Sequence, residues 1–174
     1  LGLVGPKVIK NQQITAPQLS YPGERHLLNP LSNLPGKIAW VIGACMLIPR
    51  TIYQKTNGFD EDFFLYGEET DLCLRIRKLG FEIGFCDNVI VDHIGGASEK
   101  NTATESLWKK KQNGLHLFYK KNYSRDNIIK LLQHDIFQAK KHLFTLKLKK
   151  YLSFNSEKFD AKIMRYNVIL NASL

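Results

Sequence analysis

The stretch F-L-Y-G-E-E-T-D-L-C-L-R, Phe64 to Arg75, crowds three carboxylates, Glu68, Glu69 and Asp71, behind an aromatic run and a glycine. A carboxylate at the edge of a cleft can take a proton from a substrate hydroxyl, which is general-base chemistry, if it reaches within about 3 Å of that hydroxyl. The same residues have a plainer use. Acidic side chains in the first turn of a helix are favoured by about 0.3–1 kcal/mol each against the unpaired N–H groups there. Asp71 and Arg75, spaced i, i+4, can also pair on the helix surface. What favours chemistry is the setting, because Phe63, Phe64, Tyr66 and Gly67 would bring the helix start to the wall of a cleft.

The elements that must position these groups follow from periodicity. Residues 2–10 read as a strand. Residues 11–37, with Pro17, Pro22, Pro30 and Pro35, read as one long loop, a length that usually marks a lid or a disordered segment. Ile38 to Ile48 is apolar at both alternating sets of positions, Trp40, Ile42 and Met46 against Val41, Cys45 and Leu47, which predicts a central strand covered on both faces. Pro49 opens a short helix and N-G-F-D, Asn57 to Asp60, is a turn. From Glu68 the period becomes helical, with Leu72, Ile76 and Leu79 in line and Gly80 as the stop. Strands at about Glu82 to Cys86 and Val89 to His93 follow, and from Thr104 onward everything reads as helix.

Composition bounds the rest. A chain of 174 residues, 44% hydrophobic, can bury a core of one ordinary domain. It holds no apolar run of about 18 residues or more, and its first residues lack the basic-then-apolar order of a secretory leader. Cys45, Cys73 and Cys86 lie in apolar segments without metal-ligand spacing, which fits a reducing cytoplasm. The opening at Leu1, directly in a strand and without methionine, is expected of a fragment. The net charge of +9 is uneven: residues 1–99 carry 9 Lys and Arg against 11 Asp and Glu, residues 100–174 carry 16 against 5. A basic tail calls for an anionic partner or is a solvated face. No nucleic-acid-binding motif accompanies it.

Three segments in order carry a resemblance: G-A-C-M-L-I-P-R (Gly43 to Arg50), N-G-F-D-E-D-F-F-L-Y-G-E-E-T-D-L-C-L-R-I-R-K-L-G-F (Asn57 to Phe81) and V-D-H-I-G-G-A-S (Val91 to Ser98). With V-G-P-K-V-I at residues 4–9 they resemble the second half of the inverting family-two glycosyltransferases, rhamnosyltransferase-like members above all, over roughly residues 1–125.

The resemblance implies an α/β fold, the C-terminal part of a GT-A (Rossmann-like) glycosyltransferase with a helical C-terminal tail, divided as residues 1–104 on the acceptor side and a basic helical region, 105–174. It implies transfer of a sugar from a nucleotide-sugar donor to a hydroxyl of a glycan or lipid-linked acceptor, with inversion. Glu69 falls where the family's catalytic base stands, between Glu68 and Asp71, although Glu replaces the commoner Asp and moves the carboxylate out by about one bond. Asp71 and Arg75 then orient the helix start. His93 falls where relatives approach a divalent metal, Mg or Mn, that holds the diphosphate; a structural histidine is the alternative. Gly95, Gly96 and Ser98 would face the phosphates, and Trp40, Gly43 and Ala44 the sugar, with core packing as the competing role of Trp40.

Asp60 to Asp62 is a D-x-D by letters only, and the family's metal-binding triplet precedes the region that Leu1 begins, so the metal site is expected to be incomplete and the chain inactive alone. The rival reading is a non-catalytic remnant or an assembly or membrane partner. Lys140, Lys141, Lys147, Lys149 and Lys150 beside Leu143, Phe144, Leu146 and Leu148 suit an anionic membrane surface, for a protein peripheral to the inner face of the cell membrane. An uncovered sheet edge would favour self-association.

Overall fold

Leu3–Lys10 forms the first strand, β1, because its branched residues suit a pleated surface and Leu3 and Val8 face a core. A tight hairpin through Gln12, at φ 63°, returns the chain as β2, Gln13–Thr15, paired antiparallel with Val8 opposite Thr15. On its other side β1 pairs in parallel with β3, Ile83–Asp92, giving the sheet order β2-β1-β3. The computed structural model describes residues 1–10, 12–28, 31, 33–94, 104–153 and 157–173, and the chain divides into two compact units, Leu1–Lys100 and Asn101–Leu174.

The two short strands expected at 82–86 and 89–93 are one strand with an irregularity. Pro6 lies opposite Cys86 and Lys7 opposite Ile90, so residues 87–89 bulge where Pro6 has no N–H to give its neighbour. His93 lies just past the strand, its N–H donating to the Ile9 carbonyl at 2.9 Å.

The expected central strand at 38–48 does not form. Two isolated bridges, Gln18 with Trp40 and Val4 with Leu47, are all the pairing this segment makes. Between them the chain turns at Gly43 and Ala44, leaving Cys45 and Leu47 exposed, while Ala39 and Val41 remain buried. Apolar content on both faces was the signal, and it cannot distinguish a strand from an irregular segment that buries one end. At Gly5 the segment crosses β1 so closely that a Cβ there would stand 2.7 Å from the Val41 side chain.

Two α-helices complete the first unit among its described residues. Helix α1, Arg50–Lys55, follows Pro49, and the turn after it takes Asn57 and Gly58 through left-handed φ of 57° and 69°. Helix α2, Glu68–Lys78, buries Leu72, Cys73 and Ile76 against Leu3, Val41, Ile52 and Ile83, and Gly80 at φ 90° ends it.

The segment at 11–37 is better anchored than its length implied. Arg77, buried at the end of α2, donates from Nε to the Pro35 carbonyl at 2.9 Å and from Nη2 to Leu34 and Gly36 at 3.3 and 2.9 Å. Its guanidinium lies 5.7 Å from the Tyr21 ring centre, and the Tyr21 hydroxyl donates to the Ala39 carbonyl at 2.8 Å. One cation with a rigid fork of donors thus replaces the ladder that a loop lacks.

The second unit is helical: α3, Thr104–Asn122, α4, Arg125–Tyr151, and α5, Asp160–Ser173. Ser124 caps α4 by accepting the Asn127 N–H. Phe118, Tyr119, Tyr123, Leu131, Ala139, Leu143 and Val168 are buried. Arg165 covers the Trp108 ring at 4.3 Å, and His142 stacks on Tyr166 at 4.6 Å between centroids. Among the described residues no helix is long and apolar enough to cross a membrane. The chain is therefore mixed α/β with a helical tail, the class the sequence pointed to.

Candidate active site

The first turn of α2 is set up by two consecutive left-handed residues, Tyr66 at φ 69° and Gly67 at φ 106°. For glycine this is free, while a tyrosine held there costs about 1–2 kcal/mol. Gly67 is the N-cap and offers no side-chain oxygen, so the first-turn N–H groups are left for other acceptors.

Glu69 sits against the turn at Gly43: a Cβ at Gly43 would lie 3.2 Å from the Glu69 Cβ. Only a glycine lets the two segments meet this closely without displacement. Burial, and after it the adjacent Glu68 charge, push the Glu69 carboxyl above the usual carboxylate range, and backbone hydrogen bonds at Glu69, Gly67 and Gly43 offset this only in part. One oxygen of Glu69 and one of Glu68 are buried with no hydrogen-bond partner among the described residues. Buried carboxylate oxygens are normally satisfied, so two without a partner in the first turn of one helix stand out.

Asp71 has a different environment. It is buried, not on the helix surface as its spacing suggested, and the Arg75 guanidinium donates to it at 2.6 Å. Arg75 also donates to the carbonyls of Thr56 and, at 2.8 Å, Gly58. The pair therefore staples α2 to the turn after α1, which leads into the 59–67 approach to Glu68. Below Glu69, the Cys73 thiol is pushed up to about 12 by burial first and the Glu69 charge with it, leaving an inert core residue.

The structure brings Glu68, Glu69 and Gly43 together, with Ala44 exposed beside Gly43. Trp40 is half-buried against the core, and its indole N–H donates to the Ser20 carbonyl at 3.3 Å. Gly95, Gly96 and Ser98 lie outside the described residues. Asp60 accepts the Asp62 N–H at 3.0 Å, a turn closed on itself. Among the described residues no three His, Cys, Asp or Glu side chains converge on a common point, at His93 or elsewhere.

Sequence reasoning missed the strain at Tyr66, which leaves no compositional mark, and the Arg77 anchor. The latter had one faint signal, a charged residue falling on the apolar side of α2.

The acidic helix start thus belongs to a mixed α/β unit, and comparison with known proteins gives its family. The family model described as glycosyltransferase like family 2 matches residues 9–114, more than half of the chain, and the chain belongs to that family. The low-salt glycan biosynthesis hexosyltransferase Agl10 of Haloferax volcanii is 31% identical over 88 residues, 51% of this chain and 26% of that protein. An N-acetylglucosaminyl-diphospho-decaprenol L-rhamnosyltransferase of Mycobacterium tuberculosis is 39% identical over 44 residues, 25% of this chain and 14% of that one. The rhamnosyltransferase WbbL of Escherichia coli is 35% identical over 48 residues, 28% and 18% of the two chains. The chain thus spans about a quarter or less of the curated relatives it matches. No solved structure matches it.

Proposed function

We propose that the chain is the acceptor-side part of an inverting glycosyltransferase in which Glu69 is the general base. The observation that carries the reading is the buried Glu69 oxygen without a partner, at a strained helix start against Gly43. The acceptor is a hydroxyl of a glycan or lipid-linked sugar, as the name of the decaprenol-linked relative supports, and the donor is a nucleotide-sugar. Glu69 takes the acceptor proton as the oxygen bonds to the anomeric carbon; the bond from that carbon to the diphosphate breaks on the opposite face, and its electron pair leaves with the nucleoside diphosphate. Inversion follows from that geometry.

Trp40, Gly43 and Ala44 line the sugar side in this reading, and Arg75 and Asp71 act by holding α2. A divalent metal, Mg or Mn, enters only through His93 and ligands beyond the described residues. The donor-binding groups are supplied from outside these 174 residues, so the chain alone transfers nothing. The reading places the protein in the cytoplasm at the inner face of the cell membrane, with the basic tail toward anionic lipid.

The test uses the longer protein with a labelled nucleotide-sugar and a polyprenyl-diphosphate-linked acceptor, and reads the anomeric configuration of the product by NMR. Inverted product is expected from the longer protein, and neither transfer nor nucleotide release from the 174-residue chain. Retained configuration, or turnover by the short chain, would overturn the assignment.

Self-association belongs to the same reading. Strand β3 has a single neighbour, β1, among the described residues, and Val89 and Ile90 on it are exposed. Light scattering should give a mass above the 20.0 kDa of one chain, and a strictly monomeric sample would remove this part of the proposal.

A further inference from the structure

Helix α4 buries one side, through Leu131, Ala139 and Leu143, and leaves large apolar residues on the other. Phe137, Phe144, Leu148 and Tyr151 follow at spacings of seven, four and three, which aligns them in one stripe about 21 Å long. They are strongly exposed, Phe144 at 73% and Tyr151 at 87%. Lys140, Lys141 and Lys147, all exposed, each stand three or four positions from two of these four residues and so share their face. No Asp or Glu occurs from residue 136 to residue 156.

This is not the face the spacing of the tail suggested. Leu143 points into the unit, and Lys150 is held by the Asp160 carboxylate.

We infer that the Phe137–Phe144–Leu148–Tyr151 face of α4 is a docking surface for anionic lipid, the apolar side chains entering the boundary of headgroups and acyl chains and the three lysines meeting headgroup phosphates. The charge complementarity selects the occupant. A second copy of the chain would set these lysines against one another, and an apolar protein groove would leave them unmatched. Compact, strongly hydrated ammonium groups beside bulky apolar residues along a single helix face suit a plane of anionic headgroups. The inference rests on the reading of the tail as membrane-facing and narrows it to one face; its test involves no sugar transfer, so either can fail without the other.

The experiment is cosedimentation of the chain with vesicles of phosphatidylcholine alone and of phosphatidylcholine mixed with phosphatidylglycerol. Binding is expected to the mixed vesicles only, and to weaken several-fold as salt is raised, since screening acts on every lysine. The triple variant Lys140→Glu, Lys141→Glu, Lys147→Glu should lower partitioning on the order of 10²-fold or more. A control with the same charge change elsewhere on the surface, Lys37→Glu, Lys55→Glu, Lys120→Glu, should lower it far less. Phe144→Ser with Tyr151→Ser should weaken binding to the mixed vesicles while helicity by circular dichroism stays unchanged. Equal loss in the two triple variants, equal binding to neutral vesicles, or no binding at low salt would each overturn the inference. So would a face whose serine variants abolish self-association and leave vesicle binding intact, because its occupant would then be another copy of the chain.

Discussion

Glu69→Gln should melt at a higher temperature than the parent chain at neutral pH, while sugar transfer by the longer protein falls by about 10² to 10⁴-fold. Both effects come from one buried charge. Burial and the Glu68 charge raise the Glu69 carboxyl above the usual carboxylate range, so between the unfolded and folded values the folded state binds the extra proton. Stability from this group is therefore present at acid pH, falls as pH rises through the usual carboxylate range to the raised value, and stays lost above it. The glutamine variant should accordingly gain most at neutral pH and nothing below the usual range. The base works only when ionised, so kcat/KM should fall on the acid side along a limb displaced upward from an ordinary carboxylate. Glu68→Gln should move that limb back toward the ordinary range with a smaller loss of rate. A destabilised Glu69→Gln protein, or one that keeps near-normal turnover with the limb unchanged, would assign these carboxylates to helix-start electrostatics.

Arg75→Ala should cost about 3 kcal/mol of stability, read as a lower urea midpoint with an unchanged slope. The loss comes chiefly from leaving the Asp71 carboxylate buried without its cation, and further from freeing the Thr56 and Gly58 carbonyls. Arg75→Lys should recover only part, because one ammonium cannot reproduce the fork that meets a carboxylate and two carbonyls together. Asp71→Asn should destabilise less than Arg75→Ala, since a quarter of the Arg75 side chain reaches water while Asp71 does not. A cost below about 1 kcal/mol for Arg75→Ala would be that of an ordinary surface pair and would remove the staple.

Helix α2 and its carboxylates were legible from local signals alone: a glycine, three acidic residues, a run at helical period and a second glycine at the stop. The same holds for β1, α1 and the helices of the tail, where period and capping act within a few residues and packing agrees with them. The segment 38–48 was not legible, because a doubly apolar run has no period that separates a paired strand from a turn-broken crossing. The tail face was half legible. Its lysines and aromatics could be counted, but which of them look outward depends on which side of α4 packs inward.

By itself the sequence determined the family motifs, the α/β class, the uneven charge and the place of the three carboxylates at a helix start, since each depends on the identity and spacing of neighbours along the chain. Only the tertiary structure decided which carboxylate is which. Glu68 and Glu69 each keep an unsatisfied oxygen and Glu69 alone meets Gly43, whereas Asp71 is neutralised by an arginine that reaches back to the turn after α1. Burial and partners come from segments tens of residues apart, and those alone separate a carboxylate paired with an arginine from carboxylates left with an unmet acceptor.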